Sequence, residues 1–387
     1  MTADPLQLLD LPATFGADER DIQSTVARFL HDHVRPHIGE WFEAGHFPRE
    51  LITELGALGV LGMHLDGYGA AGTNATSYGL ACLELEAADS GLRSFVSVQG
   101  SLAMYSIHRY GSPEQKAEWL PSMATGEAIG CFGLTEPDSG SDPAGMRTRA
   151  VRDGDDWVLN GTKMWITNGS IADVATVWAA TDDGTRGFLV PRGTPGFEAH
   201  PIKHKLSLRA SITAELVLQD VRLPASALLP EARGLSAPLS CLNEARFGIL
   251  FGAVGAARDC LTTALDYAGE RVQFGRPIAG FQLTQKKLAD MTLSLSNAML
   301  LAAHLGRLKD AGRIRPEQIS AGKLNNVRAA LAIARECRTI LGGSGITTEY
   351  SPLRHASNLE SVLTYEGTAE VHTLVVGQAL TGIAAYR

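Results

Sequence analysis

The sequence predicts a mostly α-helical fold with a central β-domain: an N-terminal helical domain (residues 1–130), a middle antiparallel β-barrel or sandwich (131–234) and a C-terminal four-helix bundle (235–387). Three observations predict it. Apolar residues recur with a helical period up to about residue 130, short β-favouring runs follow to about residue 228, and long helical patterns fill the rest. A chain of 387 residues is also too long for one simple core.

The N-terminal segment shows the helical pattern from about residue 17 onward. Apolar residues recur with a period near 3.6 over 21–30, 48–61 and 77–88, with a glycine-rich break at 67–72. The last helix, 113–124, is predicted to begin after Ser112, a good N-cap, with Pro113 at its first position. The segment therefore predicts a packed set of helices.

The middle segment changes to β-favouring runs at 156–160, 174–178, 187–190 and 215–218. Turn signals at 160–161, 183–184 and 194–196 separate these runs. A domain of roughly 100 residues built from short strands with such turns is expected to be antiparallel.

The C-terminal segment predicts four helices over 237–268, 282–310, 315–341 and 368–384, which is typical of a bundle. The stretch that contains His355, Asn358 and Glu360 is interpreted as a polar loop before the last helix. Apolar residues recur on several helix faces, so we expect oligomerisation to cover some of them.

Composition and charge exclude several classes of protein. The formal net charge is −8 and no basic run can neutralise phosphates, which argues against nucleic-acid binding. The longest apolar run, 248–257, is about half of what a bilayer needs, so no stable membrane insertion is expected. No signal or transit pattern opens the chain, and the expected location is cytoplasmic.

Cysteines and histidines show no metal-binding pattern. The five cysteines are scattered without a Cys-x-x-Cys pair, as expected of reduced thiols packed as small apolar groups. His31 and His33 lie in a polar helical pattern and are interpreted as part of a solvated face. The sequence therefore predicts no metal site.

The stretch Tyr365-Glu366-Gly367-Thr368 is the first candidate for catalysis. A carboxylate flanked by an aromatic ring and a glycine, directly before a helix, can be buried, and burial raises a carboxyl pKa towards the range that suits a general base. Thr368 is suited to cap the following helix, with Glu370 in its first turn. Taken alone, the stretch is also consistent with an ordinary cap beside a solvated glutamate.

Five other motifs accompany this stretch along the chain. They are 131–137 (CFGLTEP) with 140–142 (GSD), 165–168 (WITN), 271–275 (RVQFG), Gln282, and 341–345 (LGGSG). In this order they resemble the acyl-CoA dehydrogenases, a family of flavin enzymes, and most of all its glutaryl-CoA dehydrogenases. The resemblance runs from about residue 20 to the end and implies an FAD cofactor and an acyl-CoA substrate.

The motifs also suit a flavin physically. Backbone amides and a hydroxyl within 132–135 can meet the ring edge, and the small residues of 139–141 allow close approach of a ligand. Trp165 can lie against the ring, with Thr167 donating near its reactive nitrogen, although a tryptophan in a strand can equally belong to the core. The resemblance implies that FAD is bound by Phe132, Leu134, Thr135, Gly140, Ser141, Trp165, Ile166, Thr167, Arg271, Phe274, Gln282, Leu341, Gly342, Gly343, Thr368 and Glu370.

Part of this set is expected on a neighbouring subunit. Arg271 is a cation suited to a pyrophosphate. The resemblance implies that Arg271, Phe274 and the Gly342-Gly343 loop meet FAD across a subunit interface, and hence a homotetramer built as a dimer of dimers. Gly342 and Gly343 also fit a C-cap between two helices, and both interpretations can hold.

Arg93 is the residue that predicts the substrate. In the resembling family the helix that contains 86–94 forms the far wall of the acyl cavity. An unpaired arginine buried there would cost about 3–5 kcal/mol, whereas a guanidinium matches a carboxylate with two hydrogen bonds. Arg93 with Ser94 therefore predicts glutaryl-CoA, whose tail is a carboxylate. The alternative is that Arg93 pairs with Glu86 or Asp89 on a surface turn.

Asn243 and Arg246 lie one turn apart and share a helix face. The resemblance implies that Asn243 contacts the pantetheine of CoA and that Arg246 lies near the base; the alternative for Arg246 is a surface arginine. The substrate-binding residues implied in full are Arg93, Ser94, Glu86, Val98, Ser141, Asn243, Arg246, Tyr365 and Gly367.

The reaction that the resemblance implies is the FAD-dependent oxidative decarboxylation of glutaryl-CoA to crotonyl-CoA and CO2, with Glu366 abstracting the α-proton and electrons passed to electron-transfer flavoprotein. Glu86, Ser94 and Tyr365 favour the decarboxylating form. The alternatives are a non-decarboxylating glutaryl-CoA dehydrogenase, a dehydrogenase of another short-chain or dicarboxylyl acyl-CoA, and a non-catalytic flavin- or CoA-binding protein. Gly100 and His204 depart from the family pattern, and the sequence gives no reason for either.

Overall fold

A computed structural model describes residues 4–385, and the outermost ends of the first and last predicted domains lie outside that range. The chain is helical up to Thr125, forms a sheet between Gly130 and Pro224, and is helical again from Ser236. The predicted fold class, helical segment, β-domain and helical bundle, is confirmed. The domain boundaries themselves remain a proposal.

The N-terminal helices pack around α4, all of whose residues after the first are buried. A π-helix, Val98–Met104, continues directly from α5. The helices of this segment are α1 (Ala17–His33), α2 (Ile38–Ala44), α3 (Glu50–Ala57), α4 (Ala75–Ala88), α5 (Ser90–Ser97), α6 (Tyr105–Tyr110) and α7 (Pro113–Thr125).

The β-domain is one sheet in the order β1-β4-β2-β3-β7-β6, with β5 paired to β4. Most neighbours are antiparallel, as predicted, but β1 runs parallel to β4, with Gly130 opposite Val174. The long excursion through β2 and β3 supplies the crossover that a parallel pair requires. The strands are β1 (Gly130–Gly133), β2 (Arg149–Asp153), β3 (Asp156–Thr167), β4 (Val174–Thr181), β5 (Gly184–Pro191), β6 (Phe197–Pro201) and β7 (Thr213–Pro224).

The C-terminal segment contains the four predicted helices and a fifth between the last two. A two-stranded ribbon of Val272–Gln273 and Arg276–Pro277 connects α8 to α9. The helices are α8 (Ser236–Glu270), α9 (Gln282–Asp310), α10 (Pro316–Ile340), α11 (Ser351–Thr364) and α12 (Ala369–Thr381).

The interpretation of 351–364 as a polar loop is wrong, because this segment is α11. Two of its polar residues point inward, while Glu360 is exposed: Asn358 donates to Asp89 (2.9 Å) and His355 lies 3.2 Å from Asp259. Both side chains are fully buried. The helix also has an apolar stripe, formed by Pro352, Ala356, Leu359 and Val362, and the buried polar residues lie beside it.

The helix α8 forms the centre of the molecule. It is long and apolar enough by composition to cross a bilayer, but 78% of that apolar window is buried inside the protein, so it serves as a core helix. A Cβ at Gly255 would lie 1.8 Å from the carbonyl oxygen of Leu83, so glycine allows α4 and α8 to approach closely. This contact fixes the helix that contains Glu86.

Candidate active site

A cavity of about 850 Å³ lies where the N-terminal helices, the sheet and the C-terminal helices meet, and its volume is typical of small-molecule sites. It brings together many of the predicted site residues. Its walls include Ser94, Val98, Phe132, Leu134, Thr135, Gly140, Ser141, Trp165, Ile166, Thr167, Arg246, Tyr365, Glu366, Gly367 and Thr368. Residues that are far apart in sequence therefore share one site.

Glu366 lies in the connection between α11 and α12 with a left-handed backbone (φ 50°). A non-glycine residue in this region costs on the order of 1–3 kcal/mol and persists only where its surroundings enforce it. The Thr368 hydroxyl accepts a hydrogen bond from the N–H of Val371 (3.3 Å) and caps α12, and Glu370 lies exposed in the first turn. The predicted cap is therefore confirmed, and the loop before it directs Glu366 into the cavity.

The carboxyl group of Glu366 is the candidate base. Its Oε2 atom is enclosed, and no group within residues 4–385 forms a hydrogen bond to it. Burial raises the pKa of Glu366 above its usual value, while the cations Arg93, Lys323 and Arg246 act in the opposite direction. The group is thus a desolvated carboxylate that is free to accept a proton.

Arg93 is completely buried and belongs to a polar network. Its Nε donates to Oε2 of Glu86 (2.8 Å), and Ser90 donates to the other oxygen of Glu86 (2.8 Å). The terminal nitrogen Nη2 donates to the hydroxyl of Tyr365, and no described residue accepts a hydrogen bond from Nη1. The predicted alternative is thus wrong about location: Arg93 does pair with Glu86, but inside the protein.

Arg93 lies just behind the cavity wall. The wall itself is formed by its neighbour Ser94 and by Tyr365, to which Arg93 is hydrogen-bonded. The Arg93 guanidinium lies 5.7 Å from the centre of the Tyr365 ring. Tyr365 and Ser94 thus separate the Arg93 guanidinium from the cavity.

Arg246 and Asn243 take different positions on α8. Arg246 lines the cavity, and its buried Nε has no partner within residues 4–385. Burial lowers the pKa of Arg246, while Glu366 raises it, so the two side chains face one another electrostatically. The alternative of a surface arginine is therefore wrong. Asn243 is half-buried and does not line the cavity, so its contact with CoA stays a prediction.

The β-domain presents a flat apolar surface to the cavity. The register of β3 shifts between Lys163 and Ile166, and Trp165 has a left-handed backbone (φ 64°). Its side chain is consequently 60% exposed instead of belonging to the core. The hydroxyl-bearing residues Thr135 and Thr167 lie in the same wall, and a Cβ at Gly140 would meet no atom within 4 Å. These residues fit a flat heteroaromatic ring with polar edges.

A buried ion pair supports this wall from behind. Lys163 donates to Oε1 of Glu136 (2.8 Å) and to the carbonyl oxygen of Leu134 (3.1 Å). Glu136 also accepts from the backbone N–H groups of Arg147 and Thr148. Because every member is satisfied, this network holds the loop after β1 in place.

Another group of predicted cofactor residues does not line this cavity. Phe274 is 94% exposed. Arg271, Gln282 and the glycines 342 and 343 are also exposed, whereas Leu341 is buried. The exposed residues are free to meet a ligand on another subunit, and that placement stays a prediction.

The structure also reveals features that the sequence did not. Lys323 and His372 are buried beside Glu366, and their only sequence signal is a polar residue on an otherwise apolar helix face. His204 lines the cavity. Gly100 has a steric reason, because a Cβ there would lie 2.7 Å from the backbone nitrogen of Gly62.

The comparisons with known proteins agree with this geometry. The family models for the N-terminal, middle and C-terminal domains of acyl-CoA dehydrogenases match residues 16–127, 131–221 and 232–381. The chain is 36% identical over 388 aligned residues to the human mitochondrial short-chain specific acyl-CoA dehydrogenase, covering 98% of this chain and 93% of that protein. The chain therefore belongs to the acyl-CoA dehydrogenase family.

Two solved structures of a glutaryl-CoA dehydrogenase from Mycobacterium smegmatis are much more similar. One, in complex with FADH2, is 70% identical with a TM-score of 0.99, and the match covers 100% of both chains. The other is 67% identical with a TM-score of 0.99 and the same coverage.

Proposed function

We propose that this chain catalyses the FAD-dependent oxidative decarboxylation of glutaryl-CoA to crotonyl-CoA and CO2. Its class, an oxidoreductase of the acyl-CoA dehydrogenase family, follows from its relatives and the three matching domain models. The finer proposal rests on one observation about Arg93. Its guanidinium is fully buried behind the Tyr365 side of the cavity, and no described residue accepts a hydrogen bond from its Nη1 atom.

FAD is the cofactor of the proposed reaction, and the M. smegmatis enzyme was solved with its reduced form. We expect the ring to rest against Trp165 and the 132–135 strand end, with the small loop at Gly140 and Ser141 close by. When bound, FAD supplies the acceptor for the hydride that leaves the β-carbon of the acyl chain. Arg271, Phe274, Gln282 and the 341–343 loop are expected to bind the FAD of a partner subunit.

Glu366 acts as the general base of the proposed reaction. Its desolvated, unpaired Oε2 removes the α-proton of the thioester. The negative charge that develops on the thioester oxygen needs donors fixed in advance, and the backbone N–H of Glu366 is the expected one. Arg246 and Arg93 add positive potential beside the developing enolate.

The charges around Glu366 favour a substrate with an anionic tail. Three cations, Arg93, Arg246 and Lys323, influence Glu366, whereas Glu86 is the other carboxylate there. When Lys323 is protonated, the three cations and the two carboxylates, Glu366 and Glu86, together carry one net positive charge. The carboxylate of glutaryl-CoA would neutralise it, while the methyl end of butyryl-CoA would not.

Decarboxylation follows from the position of the tail carboxylate. Oxidation of glutaryl-CoA gives glutaconyl-CoA, whose carboxylate is attached to the carbon next to the new double bond. Loss of CO2 from the γ-carbon leaves a dienolate, and the proton that Glu366 took from the α-carbon can be delivered to the γ-carbon, which forms crotonyl-CoA. The Glu86–Arg93–Tyr365 network is expected to hold the carboxylate before it leaves.

The remaining parts of the proposal concern partners and setting. We expect electron-transfer flavoprotein to reoxidise the flavin, a homotetrameric assembly and a cytoplasmic location. The alternatives are a glutaryl-CoA dehydrogenase without decarboxylation and a dehydrogenase of another short acyl-CoA.

The proposal is tested by the products. Purified protein is incubated with glutaryl-CoA and an artificial electron acceptor, and crotonyl-CoA and CO2 are quantified. We expect the two products in equal amounts. Glutaconyl-CoA without CO2 would favour the non-decarboxylating form, and turnover of butyryl-CoA but not glutaryl-CoA would contradict the assignment of Arg93.

A further inference from the structure

Three consecutive carbonyl groups of the loop that contains Glu366 are bound by two buried side chains. Lys323, on α10, donates to the carbonyl oxygens of Tyr365 and Gly367 (2.7 Å for Gly367). His372, on α12, lies with Nε2 at 3.2 Å from the carbonyl oxygen of Glu366 itself. Two side chains thus bind all three carbonyls from 365 to 367.

The two donors are unusual for their environment. Lys323 and His372 are each only 1% exposed. Among residues 4–385, no carboxylate forms an ion pair with Lys323. Its amino group donates hydrogen bonds to backbone carbonyls instead. Burial without an ion-pair partner is costly for a lysine. An apolar side chain would fill the same space at a lower cost in stability, so the packing of the core does not explain Lys323.

The hydrogen bond of His372 also fixes its tautomer. A carbonyl oxygen can only accept, so Nε2 must bear the proton, and the buried Nδ1 has no partner within the described chain. Burial lowers the pKa of His372 to about 3, and the nearby Lys323 and Arg246 act in the same direction. His372 is therefore a neutral donor.

The loop needs such support because Glu366 has a left-handed backbone, a conformation that is unstrained only for residues such as the following Gly367. Glu366 has φ 50° and Gly367 has φ 91°. A Cβ at Gly367 would lie 2.7 Å from Nε2 of His372, so the imidazole packs directly on the loop. Without donors for its carbonyls, an exposed helix connection of this kind would relax to ordinary backbone angles.

We propose that Lys323 and His372 are positioning residues for the reaction: together they hold the Glu366 loop in its left-handed conformation and keep the Glu366 carboxyl directed at the α-carbon of the thioester. This inference rests on the proposed role of Glu366 as base. Lys323 has a second effect, because its positive charge favours the ionised form of the base. The other charged groups that influence Glu366 are Arg93, Arg246 and Glu86.

The first test is Lys323→Met, which removes the donors and the charge and leaves an unbranched side chain that is one atom shorter. Its control is Asn326→Leu, one turn further along the same helix. Asn326 is equally buried and also donates to two carbonyls, those of Leu250 and Ala298 (2.8 and 3.0 Å), but these lie on α8 and α9. For each variant, kcat and KM for glutaryl-CoA, the pH profile of kcat and the thermal unfolding midpoint are measured.

We expect Lys323→Met to lower kcat by roughly 10²-fold, the loss typical of a misplaced catalytic group. The KM for glutaryl-CoA also rises, because Lys323 supplies part of the positive charge that the tail carboxylate neutralises. The acid limb of its pH profile moves to higher pH, because loss of the cation raises the pKa of Glu366. Asn326→Leu lowers the unfolding midpoint but leaves the acid limb in place. If both variants only lose stability and keep the wild-type kcat and acid limb, the positioning role is refuted.

A second pair of variants keeps the test decisive if Lys323→Met does not fold. His372→Gln preserves a neutral donor towards the Glu366 carbonyl, and His372→Leu removes it. We expect kcat to fall in the leucine variant and to be largely restored in the glutamine variant. Equal kcat in both variants would contradict the inference.

Glu366→Gln, assayed alongside, separates the two levels of the account. If Glu366→Gln is inactive while the Lys323 and His372 variants keep the wild-type kcat, only the positioning role is refuted. If Glu366→Gln remains active, the proposed role of Glu366 as base is refuted, and the positioning role is refuted with it.

Discussion

At the scale of single residues, Glu366 combines a left-handed backbone with an enclosed carboxyl oxygen that no described residue binds. Either feature alone costs stability, so their coincidence in a cavity is best explained by chemistry. Glu366→Gln preserves the shape and removes the base. We expect kcat to fall by about 10²–10⁴-fold, the usual contribution of a general base. Flavin content and acyl-CoA affinity should remain close to wild type, as measured by absorbance and equilibrium titration.

The pH dependence of the wild-type enzyme follows from the same group. A general base works only when ionised, and burial raises the pKa of Glu366 above the ordinary value of 4.5. Activity is therefore expected to be present above the raised pKa and to fall as pH decreases through it. The measurement is kcat against pH with glutaryl-CoA; an acid limb at or below the ordinary carboxyl value would contradict the desolvated base.

Arg93 gives a prediction about specificity. Arg93→Lys keeps a positive charge but loses the second hydrogen bond of the guanidinium. We expect the ratio of kcat/KM for glutaryl-CoA over butyryl-CoA to fall by about 10–150-fold, which corresponds to a lost charged hydrogen bond of about 1.5–3 kcal/mol. Both substrates are assayed on the same variant. A general loss of stability therefore lowers both kcat/KM values equally and leaves their ratio unchanged.

The control for Arg93 is Arg354→Met. Arg354 pairs with buried Asp89, the N-cap of α5, so its loss also disturbs a buried ion pair close to this site. We expect the substrate ratio to be unchanged in this variant. Equal losses on both substrates in Arg93→Lys would mean that Arg93 is only structural.

At the scale of elements, the close approach of α4 and α8 fixes the helix that contains Glu86, the ion-pair partner of Arg93. Gly255→Ala would force a methyl group to within 1.8 Å of the Leu83 carbonyl oxygen, so the two helices must separate. We expect a loss of about 1–3 kcal/mol in the free energy of unfolding, the usual cost of overpacking. Gly269→Ala is the matched control, since it lies on the same helix with no atom within 4 Å of the added Cβ. Chemical denaturation measures both; equal stabilities would contradict the packing argument.

The elements also show what a single sequence can predict. Thr368 was predictable as a cap because capping depends on neighbours in the chain. The helix α11 was predictable from the helical spacing of its apolar residues, but the burial of His355 and Asn358 was not, because their partners Asp259 and Asp89 lie far away in the chain. Lys323 was missed for the same reason: the carbonyls that it binds lie 42 and 44 residues away. Polar contacts between distant elements leave little trace in local periodicity.

At the scale of the whole molecule, we propose that a homotetramer covers part of the exposed apolar surface. Phe274 is 94% exposed and Leu283 77% exposed, although Phe274 belongs to a predicted cofactor motif. We expect sedimentation velocity to show a particle of four 41.2 kDa chains. Phe274 does not line the cavity of its own chain, so Phe274→Ala leaves that cavity unchanged. We nevertheless expect the variant to lose FAD more readily than the wild type, because Phe274 is expected to bind the FAD of a partner subunit. A monomer that retains FAD fully would contradict the shared cofactor site.

The most direct measurement is the anaerobic titration of the purified, FAD-loaded protein with glutaryl-CoA in the absence of any electron acceptor. If the cavity is a dehydrogenase site with Glu366 as base, the visible absorbance of the oxidised flavin is lost on mixing with the wild-type protein and retained with Glu366→Gln. An unchanged flavin spectrum in the wild type, or equal bleaching in the variant, would contradict the account.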